Sequence, residues 1–288
     1  MKHTLLFCVM ALCCGFAQAK VTRLSLSEAL KSQSVTLEAT NFEGKYQGKT
    51  TRLKVTNKKD YPVIITVDIG TILTCSDTGH QPMVLAGAEM VTVPPNISRE
   101  VEVNTFCGNL SRRCPAEGSK YVYRSVADDS LVKVLKFIKA NDLFSYIGQA
   151  AVWAMTNNCS ISDVFDSEKP EVSRKLVTML MSIKHQPMPD IFNERQLIQE
   201  SGEQVVLGKP LKIVADFTVR LTDEKVLTLG VFNDKNEMIQ EVFTNKTFQP
   251  MGHQFGVEFT SSSAPPGPYY IRLKEKDVVL QEKKVMVE

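Results

Sequence analysis

Two stretches of the chain carry residue types able to do chemistry together. One is TFCGNLSRRC, residues 105–114, with Cys107 and Cys114. The other is GQAAVWAMTNNC, residues 148–159, with Gln149, the chain's only tryptophan, Trp153, and Cys159 at its end. A cysteine thiol and a glutamine carboxamide can condense with loss of ammonia, leaving an internal acyl-sulfur bond that an amine opens to a covalent amide. The same residues also make an ordinary buried helix. Gln149 and Trp153 lie four apart and share a face, while Ala150, Ala151 and Ala154 permit close approach to a sheet. Trp153 then acts as a packing anchor whose ring nitrogen needs a partner. Gln149 can supply that partner or cap a free backbone group of a strand.

No GxSxG, HExxH, GxGxxG or phosphate-loop pattern is present, and these are the short motifs that carry a known mechanism. Asp128 and Asp129 precede a helix start, where acids serve as caps and dipole partners. His80, His185 and His253 fall in turn-like or linker segments without a partner set. There is no CxxC and no Cys/His spacing of the zinc-binding kind. The expectation is therefore a non-enzymatic chain with no catalytic residue, no metal and no cofactor.

Residues 1–19 read as a secretory signal peptide, with Lys2 and His3 ahead of an apolar run and Ala17-Gln18-Ala19 before cleavage at Lys20. Leu12 and Cys13 stand where lipidation of Cys13 or Cys14 wants a small residue, which argues against a lipoprotein. Export would remove Cys8, Cys13 and Cys14 and leave Cys75, Cys107, Cys114 and Cys159 as disulfide candidates. Four cysteines allow three pairings, between which the sequence does not choose. Cys107 and Cys114 are close enough to clip their loop, which would leave Cys75 to meet Cys159. The balance of 34 Lys+Arg against 32 Asp+Glu, with the signs interspersed, lacks the basic stripe of a nucleic-acid binder. No helix predicted after residue 20 is long and apolar enough to span a bilayer.

The elements that must hold these residues are mainly strands. Segments such as TTRLKVTN, PVIITVDIG and SREVEVNTF alternate with the period of a strand and are separated by turn signals at 57–62 and 77–79. After Tyr123 the period becomes helical. A helix capped by Asp129 or Ser130 buries Leu131, Val134, Leu135 and Ile138, a second begins near Asp142, and a third opens with Pro170 and carries Val172, Leu176, Met179, Leu180 and Ile183 on one stripe. Residues 20–184 thus read as a β-sandwich with a helical layer. Prolines 187 and 189 interrupt the pattern, so 185–207 reads as a linker. Residues 208–288 hold six further strands, the size of an immunoglobulin-like sandwich.

The C-terminal stretches LGVFNDKNEMIQEVF, APPGPYYIRLKEKD and QEKKVMVE resemble the sorting domain of the Bacteroidota type IX (Por) secretion system. Asp234 matches its hairpin, with Asn236 where glycine is common; Gly267 and Tyr269 match its GxY strand, and Lys283 and Lys284 its terminal lysines. The resemblance implies surface sorting with removal of this domain. The same residues also suit a permanent immunoglobulin-like domain, in which Asn, Asp and Gly build tight turns. TFCGN followed by GQAAVWAMTN is similar to bacterial thioester adhesin domains. That likeness implies a thioester between Cys107 and Gln149, although Gly148 stands where that family has threonine. Together these features predict an exported protein of the cell envelope or surface that binds an unidentified protein or glycan partner or joins an assembly. The alternatives are a covalent adhesin and a hydrolase whose site is built from scattered residues.

Overall fold

The computed structural model describes residues 21–287, so the expected signal peptide lies outside the described residues. The chain is mainly β, 49% strand against 18% helix, and the helices form a layer attached to the sheets. At the start, β1 (Thr22–Ser25) runs into α1 (Leu26–Lys31) through a reciprocal cap. The Ser25 hydroxyl accepts from the Glu28 N–H at 3.1 Å, and the Glu28 carboxylate accepts from the Ser25 N–H at 2.9 Å.

Eight more strands follow: β2 (Val35–Asn41), β3 (Gln47–Asn57), β4 (Val63–Val67), β5 (Thr71–Cys75), β6 (Met83–Leu85), β7 (Glu89–Val93), β8 (Ser98–Cys107) and β9 (Lys120–Val126). Three of the nine form a sheet in the order β1-β4-β7, and six close on themselves in the order β2-β3-β8-β6-β5-β9. Along β4, Val63, Ile65 and Val67 are buried while Ile64 and Thr66 are not, the period-2 pattern of a half-buried strand. The two layers share one core, with Leu26, Leu53, Val55, Ile65 and Val103 in contact across it. Closure of the larger sheet removes its edges, a property that alternation along single strands does not reveal.

The helical layer comprises α2 (Asp129–Ala140), α3 (Tyr146–Thr156) and α4 (Pro170–Lys184). The cap of α2 is Asp128, one residue before the expected position, its carboxylate accepting from the Leu131 N–H at 2.9 Å. Leu131, Val134, Leu135 and Ile138 are buried as expected. The second helix starts at Tyr146 rather than near Asp142, because Asp142 takes a left-handed φ of 50° that ends the preceding turn. Residues 147–154 of α3 are all buried, so this helix is enclosed on every side rather than amphipathic.

The segment 185–207, expected as a linker, holds a strand, β10 (Ile191–Ile198), and the start of the next, β11 (Val206–Arg220). Only Phe192 of β10 is fully buried, and its polar alternation after two prolines gave too weak a period to register. The remaining strands are β12 (Lys225–Phe232), β13 (Met238–Phe248), β14 (Gly252–Thr260), β15 (Gly267–Glu275) and β16 (Val278–Val287). A β10-β11-β14 sheet faces a β13-β12-β15-β16 sheet across a core that includes Ile213, Phe217, Leu229, Val257 and Ile271.

The C-terminal sandwich is fastened to the rest at two places. Phe192 and Val214 enter the helical core, where the Arg174 guanidinium of α4 pairs with both carboxylate oxygens of Asp216 and stacks over Phe165 and Phe192. The turn between β10 and β11 reaches back to the barrel. There the Cys114 N–H donates to the Glu203 carbonyl at 2.7 Å and the Gln199 amide donates to the Gly44 carbonyl at 2.7 Å.

Candidate functional site: the Cys107–Gln149 junction

The structure brings Cys107 and Gln149 together. Strand β8 ends at Cys107, opposite Met83 of β6, and the first turn of α3 is pressed onto that end. The closeness is set by Gly148. A Cβ there would lie 2.1 Å from the Leu143 carbonyl oxygen and 2.7 Å from the Phe106 ring, so no side chain fits where the adhesin family has threonine. We expect Gly148→Ala to cost about 3 kcal/mol, the upper end of overpacking effects, read from urea unfolding. A cost below about 0.5 kcal/mol would mean that the helix is free to retreat.

Held at this distance, the fully buried Gln149 side chain pairs with the backbone of Cys107. Its Oε1 accepts from the Cys107 N–H at 2.9 Å, and its Nε2 donates to the Cys107 carbonyl at 2.8 Å. The same N–H also donates to the Tyr46 carbonyl at 2.9 Å. Of the two uses the sequence allows Gln149, the carboxamide thus performs the strand cap. The indole nitrogen of Trp153 is buried without a hydrogen-bond partner. Trp153 is 1% exposed and leaves the helical core to enter the barrel core, stacked on Tyr46 with ring centroids 6.3 Å apart.

Around this junction lie three buried thiols. The Cys107 sulfur is 3.9 Å from the Met83 sulfur, and Cys114 is buried in the same core. Cys75 ends β5 opposite Tyr121 of β9. Cys159 stands apart, half-buried beside Asp163 and Lys184. All four are free thiols.

Burial raises the Cys107 thiol well above its ordinary value, and the nearby Cys114 thiol adds to this. Burial, with the two neighbouring thiols, pushes Tyr46 up to about 12, and burial likewise raises Tyr121. These groups remain protonated at neutral pH. Burial and then Asp163 raise Cys159, against the opposing pull of Lys184.

Cys114 is held from both sides. His80 Nδ1 donates to its carbonyl, and the neighbouring Arg113 bridges Gly79 and Gln204. Tyr46, Met83 and Tyr121 escaped notice in the sequence because they come from three separate strands or their flanks and meet only when the barrel closes.

The sorting-type residues occupy three places in the C-terminal sandwich. Asp234 lies in the β12–β13 turn, where the Asn233 side chain accepts from the N–H groups of Lys235 and Glu237. Asn236 takes a left-handed φ of 62°, a conformation that asparagine adopts more readily than most residues. Gly267 opens β15, and Tyr269 is buried with its hydroxyl donating to the Pro265 carbonyl at 2.9 Å. Lys283 and Lys284 point to opposite faces of β16. Lys283 turns inward to pair with Asp190 and lie over Phe217, whereas Lys284 lies over the outward Tyr270 ring.

That outer face carries residues the sequence reading passed over. Arg272 lies over Tyr270 and Phe232, and Lys274 over Phe232. The alternation Tyr270, Arg272, Lys274 in YYIRLKEK was the available signal. Among the described residues no group of three or more His, Cys, Asp or Glu is arranged to hold a metal. No helix of the described residues is long and apolar enough to cross a membrane. A hollow of about 470 Å³ lies beside the Arg174–Asp216 pair and is lined by Glu171, Thr218, Gln254 and Gly256. No protein-family model matches the chain, and no curated protein matches it.

Proposed function

We propose that the chain is an exported, non-enzymatic module of a bacterial cell envelope or surface, which binds a protein or glycan partner or takes part in an assembly. The observation that carries this reading is the outer face of the β13-β12-β15-β16 sheet. Tyr270, Arg272, Lys274 and Lys284 form an aromatic and cationic strip there. Exposed Val279 and Met286 lie on β16 and exposed Met238 on β13 of the same sheet. Apolar side chains left in water on one sheet, among aromatic and cationic groups, are the composition of a contact surface. A photo-crosslinking residue at Met286 should capture a partner in intact cells, while one at the exposed Met90 of β7 should not. Equal capture from both positions, or none from Met286, would discard this face.

The seam supports a permanent C-terminal domain over a cleaved sorting domain. Cleavage would strip Phe192 or Val214 from the helical core, or break the contact of β11 with α4. Protein recovered from the cell surface should therefore retain the terminal KKVMVE peptide.

One observation favours a second reading, the covalent adhesin. The Gln149 carboxamide is hydrogen-bonded at both ends to the backbone of Cys107, the residue whose thiol a thioester would use. The Cys107 N–H already polarises the carboxamide oxygen on which negative charge would develop.

A further inference from the structure

We infer that strand β16 pairs antiparallel with β16 of a second copy of the chain, about a two-fold axis at Lys283, so that two four-stranded sheets become one continuous sheet. The inference goes beyond the proposed function and does not rest on it, since it concerns the edge of this sheet and not what its outer face binds. Strand β16 ends the order β13-β12-β15-β16, and no strand of the described residues lies on its other side. The backbone N–H and C=O groups on that side are a template for a further strand. The other edges of the C-terminal sandwich suit that role less. Pairing along β13 is interrupted at three places and along β10 at two, and the Gln240 amide of β13 donates to the Glu258 carbonyl of β14 at 2.7 Å. In β16, residues 281–287 run opposite 273–267 without a break.

Its side chains are those of a strand that is covered. Val278, Val279 and Leu280 are consecutive exposed apolar residues at its start, and Met286 is exposed near its end. Such a run in water is disfavoured unless something packs on it. Between the apolar ends lies the polar QEKK, residues 281–284. Antiparallel pairing of two copies reverses the order, so the apolar start of one strand meets the apolar end of the other.

Charge selects the register. Directly opposite residues of an antiparallel pair share a face, so the axis passes through a residue. Glu282 and Lys284 stand on the outer face, opposite Arg272 and Tyr270 of β15. An axis at Glu282 would set that carboxylate against its own copy, and an axis at Lys284 would set two ammonium groups together. An axis at Lys283 places Glu282 of each chain opposite Lys284 of the other, twice over. Opposite charges so placed stabilise a strand pair and like charges weaken it. Lys283 meets its counterpart from the inner face, where a lysine ordinarily repels an incoming strand. Here its ammonium is already paired with Asp190 and lies over Phe217. The single bulge, at Leu280, falls outside the central stretch 281–285 that this register pairs.

The test is the molar mass of the purified full chain by light scattering across a dilution series, for wild type, Glu282→Lys, Lys284→Glu and an equimolar mixture of the two variants. We expect wild type at twice the chain mass. Each variant alone sets like charges opposite each other at both symmetry-related positions, which should weaken the dimer by about tenfold or more. The mixture has opposite charges at both positions again, so dimerisation should return in it. Should a variant fail to fold, wild type assembled from light and heavy-isotope protein is treated with a carbodiimide, which joins a carboxylate directly to an amine. A Glu282–Lys284 crosslink between a light and a heavy peptide is then expected. Wild type at the mass of one chain at every concentration would overturn the inference and leave this edge to a different partner. A dimer that both variants retain undiminished, a mixture that stays at the mass of one chain, or a wild-type dimer without the light–heavy crosslink would overturn pairing through β16.

Discussion

Trp153→Ala is expected to destabilise the protein by about 3 to 5 kcal/mol, the range for emptying a large aromatic site in a core. Most buried side chains of α3 pack among the helices, but the indole alone crosses into the barrel and stacks on Tyr46. The substitution therefore opens a cavity in the barrel and removes the anchor that couples helix to sheet. Against a total stability of about 5 to 15 kcal/mol for an ordinary domain, that loss leaves a chain that unfolds in mild denaturant. Trp153→Phe should behave differently. It keeps most of the ring volume and discards an indole N–H that is buried without a partner, a group whose burial costs about 1 to 3 kcal/mol. The two effects offset, and a net cost of about 1 kcal/mol is expected. Guanidinium unfolding followed by far-ultraviolet circular dichroism measures both variants without the tryptophan signal. A Trp153→Ala cost under about 1 kcal/mol would mean that the barrel closes over the gap and that α3 is not anchored there.

Much of this architecture is legible residue by residue, and the exceptions share a cause. The alternation in PVIITVDIG and the stripe of Leu131, Val134, Leu135 and Ile138 report burial directly, because the side chains on one face all meet the same core. Strand β10 escapes because it is fully buried at Phe192 alone, half-buries the polar Asn193, Glu194 and Arg195, and leaves Gln196 and Ile198 exposed. Closure of the barrel escapes because a pairing such as β2 with β9 joins segments some eighty residues apart, and no local period records it. The site divides in the same way. The joint presence of Cys107 and Gln149 could be suspected from residue type. The strand-cap geometry and the need for Gly148 depend on how α3 lands on β8. The linker error had a consequence beyond topology, since the same segment supplies the turn that holds Cys114.

Gln149→Glu should make folding depend on pH in a way the wild type does not. The carboxamide both accepts from the Cys107 N–H and donates to the Cys107 carbonyl. A protonated carboxyl of nearly the same shape can do both, whereas a carboxylate can only accept. Ionised, it would set a negative charge against a carbonyl oxygen at a fully buried position, so the folded state keeps the proton. The unfolded chain releases that proton above about pH 4.3, the ordinary glutamate value. With the folded value raised above the unfolded one, the folded state binds more protons. The stability conferred by the protonated form is then fully present below about pH 4.3 and is lost as pH rises toward the folded value, at about 1.4 kcal/mol per pH unit. By pH 7 the deficit relative to wild type should reach about 4 kcal/mol. Gln149→Leu provides the contrast. It leaves the Cys107 carbonyl without this partner at every pH, for a roughly constant cost of about 1 to 3 kcal/mol. Melting temperatures of the three proteins between pH 4 and pH 8 separate the cases. If the Glu variant runs parallel to wild type across that range, water reaches position 149, and the enclosed pairing on which both the strand cap and the thioester reading depend is lost.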